Sequence, residues 1–177
     1  ARGVKMVDEA AVEFDVTGQL ELPVSVRAEA DDHKSTAIVL QNMAGLLSMP
    51  LGPNRNFADD IAGRVRVIAC LHEQPSLLHT DEGCSLSLSA ANLKIVRDST
   101  GMKEEDAAIV VWGTALDVET ALKEIRLRCE EALAGIPNET RQRLSSGETD
   151  FERVLPGPDR MYPDTDSPPL ALGDSEV

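Results

Sequence analysis

Residues 107–136, AAIVVWGTALDVETALKEIRLRCEEALAGI, contain the two segments that decide the fold. The first seven residues form an apolar run short enough for a buried β-strand. From Val118 onward, apolar residues recur at helical spacing over five turns, which predicts an amphipathic helix over residues 117–136. Asp117 is its predicted N-cap, and Gly135 ends it. Because the apolar stripe of such a helix needs a sheet to cover, the pair indicates an α+β unit.

Alternating apolar and polar residues predict strands elsewhere in the chain. Such alternation over residues 10–29, interrupted by a turn at Thr17-Gly18, predicts a β-hairpin with one buried face. A short apolar strand is predicted over residues 36–41. Residues 64–71 also alternate, and we predict a further strand there.

A second helix is predicted over residues 88–100, with Ser87 as its N-cap and Gly101 as its stop. Residues 42–56 are rich in Gly, Pro and Asn and predict a structured loop, followed by one or two helical turns over residues 57–63. The fold class expected is therefore α+β. We predict a two-layer sandwich of a mostly antiparallel sheet with two helices on one face, flanked by strand and loop pieces of a second domain.

The distribution of these elements predicts three regions. Residues 55–136 form the α+β domain, inserted between a strand-rich piece at 1–54 and a proline-rich piece at 137–177. Neither flanking piece looks able to build a core alone, so we expect them to form one surface of a second, cradle-like domain. The first residue is Ala1, which suggests a processed or truncated chain.

Composition bounds the function. The net charge of −14 disfavours an independent DNA- or RNA-binding module, because nucleic-acid affinity comes mainly from neutralising phosphates. Aromatic residues make up only 3% of the chain, which argues against a base-stacking platform. The three cysteines are an odd number and widely spaced, which favours a reducing cytoplasm. No apolar stretch approaches the length of a membrane span, so no membrane partner is expected.

Four side chains with metal-binding potential lie close together in the sequence: Cys70, His72, His79 and Cys84. Their spacing differs from the short C-x2–4-C knuckles typical of zinc sites, so we assign no metal site. No third group marks an oriented Cys–His nucleophilic pair, and we assign no catalytic residue. The run HTDE at residues 79–82 fits a turn stabilised by its Asp and Thr side chains better than a cluster that holds substrate or metal.

The densest basic patch comprises Arg55, Arg64 and Arg66. If Arg64 and Arg66 share the solvent face of their predicted strand, they could meet phosphate, so we name the three as candidate RNA-contact residues. The alternative is a solvated face paired with Asp59 and Asp60.

The C-terminal segment PGPDRMYPDTDSPP, residues 156–169, contains prolines that exclude a helix or a central strand. A proline-stiffened loop that holds polar side chains in a fixed arrangement is suited to wall a polar pocket. We predict this role for Arg160, Tyr162, Asp164 and Asp166. No glycine motif that cradles a nucleotide occurs in the sequence.

The run FERVLPGPDRMYPDTDSPP at residues 151–169 resembles the R-M-Y-P-E-T-D-x-P-P signature of the E subunit of glutamyl-tRNA(Gln) amidotransferase. The stretches AGLL at 44–47 and GPNRNF at 52–57 are similar to that family's F-x-G-L-L-G-x-E-L-x-P-G-R-R-F-G. Residues 64–82, RVRVIACLHEQPSLLHTDE, resemble the start of its insertion domain, which ends in H-S/T-D-E. The resemblance covers roughly residues 36–170.

The resemblance implies a fold and a parent activity. The inserted unit, shared by the B and E subunits and bacterial aspartyl-tRNA synthetases, is a two-layer α+β sandwich. The parent enzyme is a cytoplasmic ligase that uses ATP and Mg²⁺ to phosphorylate the side-chain carboxylate of glutamate on tRNA(Gln). Ammonia from an asparaginase-like D subunit then displaces phosphate to give Gln-tRNA(Gln). The implied partners are therefore tRNA(Gln) and the D subunit.

The sequence also departs from the family pattern. The histidine and glutamates that the family uses for metal and substrate precede the matching region, so no catalytic residue and no cofactor is carried over. After HTDE the chain continues GCSLS instead of L-P-x-Y-G, and Asn54-Arg55-Asn56 replaces the paired arginines. We interpret the chain as a fragment that positions tRNA or supports the architecture without doing the chemistry. The alternative is a stand-alone structural or interaction module that reuses the insertion fold.

Overall fold

A computed structural model of the chain describes residues 11–23, 33–72 and 75–155. Eight strands and three helices occur in these residues: β1 (Ala11–Asp15), β2 (His33–Leu40), β3 (Pro50–Gly52), β4 (Arg55–Asn56), α1 (Phe57–Ile68), β5 (Leu77–His79), α2 (Ala90–Thr100), β6 (Ala107–Thr114), α3 (Ala115–Ala134), β7 (Glu139–Arg143) and β8 (Thr149–Val154). Four strands form an antiparallel sheet in the order β1-β2-β6-β5, while β3-β4 and β7-β8 are separate two-stranded sheets. The predicted α+β class is confirmed.

The central strands β2 and β6 are buried on both faces of the sheet. On one face, Ile38 and Ile109 pack with α1 and α3. On the other face, Val39 and Trp112 pack around Val96 of α2. Because helices cover both faces, β6 is a continuous apolar run instead of an alternating one, as its sequence indicates.

The two predicted helices are present, with N-terminal boundaries that differ slightly from expectation. The N-cap of α3 is Thr114, whose hydroxyl accepts a hydrogen bond from Asp117 N, so the helix begins before the predicted cap. Ser89, and not Ser87, caps α2. Gly101 ends α2 in the left-handed conformation, with φ of 65°, which favours glycine.

The predicted strand over residues 64–71 is wrong, because residues 57–68 form α1. Asn56 and Asp59 form a capping box that starts this helix, and Phe57, Ile61 and Val65 place one apolar stripe against the core. Residues 64–71 alternate as in a strand, but the side chain of Arg64 is buried between α1 and α3 and does not face solvent.

The predicted hairpin over residues 10–29 is also corrected, because β1 pairs with β2 and the described residues after the Thr17-Gly18 turn, 20–23, form no strand. Both backbone groups of Glu21 bind the side chain of Asn92, at 3.2 and 2.9 Å. Trp112 Nε1 donates to the Pro23 carbonyl oxygen at 2.7 Å. The side chains of Asn92 and Trp112 therefore bind backbone groups of Glu21 and Pro23 that a second strand would use for pairing. Residues 24–29 lie outside the described residues.

The main sheet draws β1 and β2 from one side of residue 54 and β5 and β6 from the other. The division at residues 54 and 136 stays a prediction. Within the described ranges, no helix is both long and apolar enough to cross a membrane.

Candidate functional site

Among the described residues, five arginines and five carboxylates form two sets of ion pairs between α1, α3, β4 and the β7–β8 hairpin, which together we call the ionic cluster. Its members are Arg55, Arg64, Arg66, Arg128 and Arg141 with Asp60, Glu124, Glu131, Glu139 and Asp150. It joins groups 60 to 95 residues apart in the chain. A buried charge is costly unless it is paired, so each member depends on its neighbours.

Asp150 binds two arginines at once. Its Oδ1 accepts from Arg55 Nη2 at 2.9 Å, and its Oδ2 accepts from Arg66 Nη2 at 3.2 Å. The carboxylate rests against Gly63 of α1, where a Cβ atom would lie 2.1 Å from Asp150 Oδ1. Glycine is therefore the residue that lets this carboxylate approach the helix.

Asp60 is the corresponding acceptor on α1. Arg128 Nη2 lies 2.9 Å from its Oδ2, and Arg141 Nη2 lies 2.6 Å from its Oδ1. Burial alone would raise the pKa of this carboxyl. The hydrogen bonds and charges of Arg141 and Arg128 outweigh burial and hold the pKa of Asp60 below its ordinary value.

Arg64 is almost fully enclosed, with 3% of its side chain exposed. Its Nε donates to Glu124 at 2.9 Å, its Nη1 donates to Glu131, and Glu139 Oε2 lies 3.8 Å away. The guanidinium also lies over the ring of Phe151, 5.3 Å from the centroid. Burial lowers the pKa of Arg64, but Glu131 and Glu124 more than compensate and raise it above its usual value.

These contacts revise the setting of the candidate RNA-contact residues. Arg64 and Arg66 lie on a helix and do not share the solvent face of a strand. Arg55 and Arg66 pair with Asp150, not with the carboxylates of Asp59 and Asp60, and their side chains are 14% and 26% exposed. RNA contact by these arginines stays a prediction.

Arg160, Tyr162, Asp164 and Asp166, predicted to wall a pocket, lie outside the described residues. A polar cleft of about 270 Å³ is present instead between the β3–β4 and β7–β8 hairpins. It is lined by residues of the two hairpin turns and by members of the ionic cluster: Leu51, Gly52, Pro53, Arg55, Asp60, Arg141, Gly147, Glu148 and Thr149.

The HTDE run begins at the end of β5, and its Asp and Thr side chains bind backbone groups far away in the chain, not the nearby backbone expected of a local turn. The Asp81 carboxylate accepts from Gly45 N at 3.0 Å, Leu47 N at 2.9 Å and Ser48 N at 3.2 Å. Thr80 Oγ1 accepts from Ala108 N on β6 at 2.8 Å. The AGLL loop is therefore hydrogen-bonded to Asp81 of the HTDE run, a contact that the spacing in the sequence did not reveal.

The suspected metal ligands have different surroundings. Cys70 is exposed and Cys84 half-buried, while His79 is fully buried. Burial lowers the pKa of the His79 imidazole, opposed by the charges of Asp81 and Asp59. Among residues 11–23, 33–72 and 75–155, no group of three or more His, Cys, Asp or Glu side chains could hold a metal ion.

The chain is similar to known proteins along nearly its whole length. Over 176 residues, 98% of this chain and 27% of the relative, it is 34% identical to the E subunit of glutamyl-tRNA(Gln) amidotransferase from Pyrococcus abyssi. It is 36% identical to the E subunit from Methanocaldococcus jannaschii over 139 residues, 78% of this chain and 22% of the relative. The chain is related to a segment of the glutamyl-tRNA(Gln) amidotransferase E subunit. The resemblance inferred from the sequence motifs is confirmed.

A third E subunit, from Archaeoglobus fulgidus, is 35% identical over 136 residues, 77% of this chain and 22% of that protein. No protein-family model matches the chain. The chain thus spans about a quarter of the length of these relatives.

Sequence patterns did not reveal most of the ionic cluster. Asp150, Glu124 and Glu139 carried no motif, because their partners are far away in the chain and no local spacing connects them. The one local signal in the sequence is Gly63. Alanine would favour the helix at this position, so a glycine inside α1 indicates that another group approaches the backbone closely.

Proposed function

We propose that this chain is a segment of the E subunit of a tRNA-dependent amidotransferase and that it supports the architecture of that protein. The observation that carries this proposal is the alignment of nearly the whole chain with one segment of the Pyrococcus abyssi protein. The parent protein would convert Glu-tRNA(Gln) to Gln-tRNA(Gln) with ATP and Mg²⁺, with ammonia from a D subunit.

The charges of the ionic cluster support an architectural role. A site for ATP with Mg²⁺ needs cations that can reach phosphate and carboxylates that can reach a metal ion. Here Asp150 occupies Arg55 and Arg66, and Arg128 with Arg141 occupies Asp60. These groups do not fit a nucleotide–metal site, and we assign the phosphoryl chemistry to the remainder of the E subunit.

The contacts made by Arg64 support this architectural role. One guanidinium links α1 to Glu124 and Glu131 of α3 and lies near Glu139 of β7. Because pairing fixes register and orientation even where it adds little net stability, the cluster sets how the β7–β8 hairpin sits on the helices. We infer that this geometry orients the segment within the larger protein.

The proposal is tested with a chimera in which this chain replaces the matching segment of the Methanococcus maripaludis E subunit, which aligns with 99% of it. The chimera is purified with its D subunit, and formation of Gln-tRNA(Gln) from Glu-tRNA(Gln) is measured. We expect ATP-dependent amidation by the chimera. A folded chimera without amidation contradicts membership in this enzyme and favours the stand-alone module.

Direct positioning of tRNA is the second candidate role, supported by the glutamyl-tRNA(Gln) in the relatives' name and by the partial exposure of Arg55 and Arg66. Its test is an electrophoretic shift of tRNA(Gln) by the isolated chain across a salt series. The architectural role predicts no shift at low salt. RNA contact would be assigned to this patch if binding weakened steeply with salt and was reduced by Arg66→Gln. The control Lys103→Gln, at an exposed residue, should then leave binding unchanged.

A further inference from the structure

The β7–β8 hairpin, residues 139–154, is attached to the rest of the chain in an unusual way. Its two strands pair only with each other and not with the four-stranded sheet. Its backbone–backbone hydrogen bonds, such as Leu144 N to Glu148 O, stay within residues 137–155. Within the described residues, the backbone therefore contributes no hydrogen bond that ties the hairpin to the sheet or helices.

The apolar contribution of the hairpin comes from a single side chain. Phe151, 1% exposed, is its one buried apolar side chain, and it belongs to neither of the two hydrophobic clusters around the main sheet. Its ring lies under the guanidinium of Arg64. Val154 and Leu155 at the end of the hairpin are 48% and 37% exposed. Apolar burial drives folding, and in this hairpin it comes from one side chain, whereas β2 and β6 each bury a run of apolar residues.

Charge pairs and one hydrogen bond from a backbone amide make further attachments. Asp150 binds Arg55 and Arg66, Arg141 binds Asp60, and Glu148 Oε1 accepts from Asn54 N at 2.9 Å. The favourable energy of buried pairs is largely offset by the cost of desolvating the charges. The hairpin is thus attached through one apolar side chain and through polar groups, in contrast to β2 and β6, which have hydrogen-bonded neighbours on both sides.

The connection that leads into the hairpin can act as a hinge. Helix α3 ends at Gly135, whose φ of 134° is open to glycine and strained for other residues. Ile136 follows and is 98% exposed, so its side chain does not fix this linker, and Pro137 is half-buried. A few terminal residues of this kind are enough to absorb a change in direction.

We propose that the β7–β8 hairpin is a strap that opens as a unit about residues 135–138 while the main sheet and α1 and α3 stay folded. Opening separates Asp150 from Arg55 and Arg66 and lifts Phe151 from Arg64. The strap is a local unfolding unit of lower stability than the core, and it opens whether or not the chain serves the proposed amidotransferase.

The test is native-state hydrogen exchange of the full chain, followed by mass spectrometry at increasing urea below the unfolding transition. We expect amides of β7 and β8 to exchange at least ten times faster than those of β6. Their exchange should depend weakly on urea, because opening the strap exposes little surface. Exchange of β6 should depend steeply on urea, because it needs global unfolding.

A substitution in the core distinguishes local opening of the strap from global unfolding. Ile109→Val in β6 lowers global stability enough to speed exchange of β6 amides about two- to twelvefold. The strap model predicts unchanged exchange in β7 and β8, because opening does not involve Ile109. Equal acceleration in the strap would show that the hairpin unfolds only with the core and would overturn the proposal. Asp150→Asn should accelerate strap exchange, whereas Glu13→Gln, in the distant pair with Arg126, should not.

Discussion

Gly63→Ala is the sharpest test of the packing in the ionic cluster, because ordinary helix propensity and this structure predict opposite signs. In a helix interior, replacing glycine by alanine is expected to stabilise by up to about 1 kcal/mol. Here the new Cβ would lie 2.1 Å from Oδ1 and 2.9 Å from Cγ of Asp150. The carboxylate must move away, and its pairs with Arg55 and Arg66 are broken.

The magnitude follows from the burial of these groups. Breaking a fully buried ion pair costs about 3–5 kcal/mol. The side chains of Arg55 and Arg66 are 14% and 26% exposed, so water recovers part of this cost and we take about 2–3 kcal/mol. After subtracting the gain of about 1 kcal/mol in helix propensity, Gly63→Ala should lower the free energy of unfolding by about 1–2 kcal/mol.

The assay is urea unfolding followed by circular dichroism, with a double-mutant cycle through Asp150→Ala. In the Asp150→Ala background the clash is gone, so Gly63→Ala should be neutral or stabilising. An increase in stability on Gly63→Ala in the otherwise unchanged chain would refute this reasoning. A penalty of the same size in both backgrounds would also refute it, because it would not arise from Asp150.

Three further predictions concern groups outside the cluster. Asp81→Ala should lower the free energy of unfolding by about 1–3 kcal/mol, because three backbone N–H groups lose their acceptor, whereas exposed Glu82→Ala should change it by less than about 0.5 kcal/mol in the same urea assay. Burial lowers the pKa of His79, so as pH falls below 6.5 the unfolded chain binds a proton that the folded chain does not. Urea titrations should therefore show the free energy of unfolding falling by at most about 1.4 kcal/mol per pH unit, and His79→Leu should remove this pH-dependent component. Burial raises the pKa of Cys129 to about 12, so a thiol reagent at pH 8 should modify exposed Cys70 at once and Cys129 only in urea. Rapid labelling of Cys129 in the native protein would contradict its burial.

Elements with local signals were predictable from the sequence. The apolar run of β6 and the stripe of α3 identify themselves within their own residues, and Gly101 marks the end of α2. The first half of helix α1 was predicted, but its second half was predicted as a strand because residues 64–71 alternate. The burial of Arg64 depends on Glu124 and Glu131 in α3 and on Glu139 in β7, which no local pattern connects to it.

The candidate site was harder to predict than the fold. Asp150 carries the pairing of Arg55 and Arg66 from 95 and 84 positions away, and the sequence offers no motif at that position. Family resemblance identified the related proteins correctly, but it rested mainly on residues 151–169, most of which lie outside the described residues. A family motif indicates ancestry, whereas an ion-pair network becomes visible only in three dimensions.

The central claim, that the ionic cluster supports architecture and not the reaction itself, is tested most directly by Asp60→Asn in the amidotransferase chimera. The measurement is the amidation rate per folded molecule together with the melting temperature, with Asp98→Asn on the exposed face of α2 as the matched control. We predict a lower melting temperature and an unchanged rate for Asp60→Asn. An unchanged melting temperature with loss of the rate would contradict the claim.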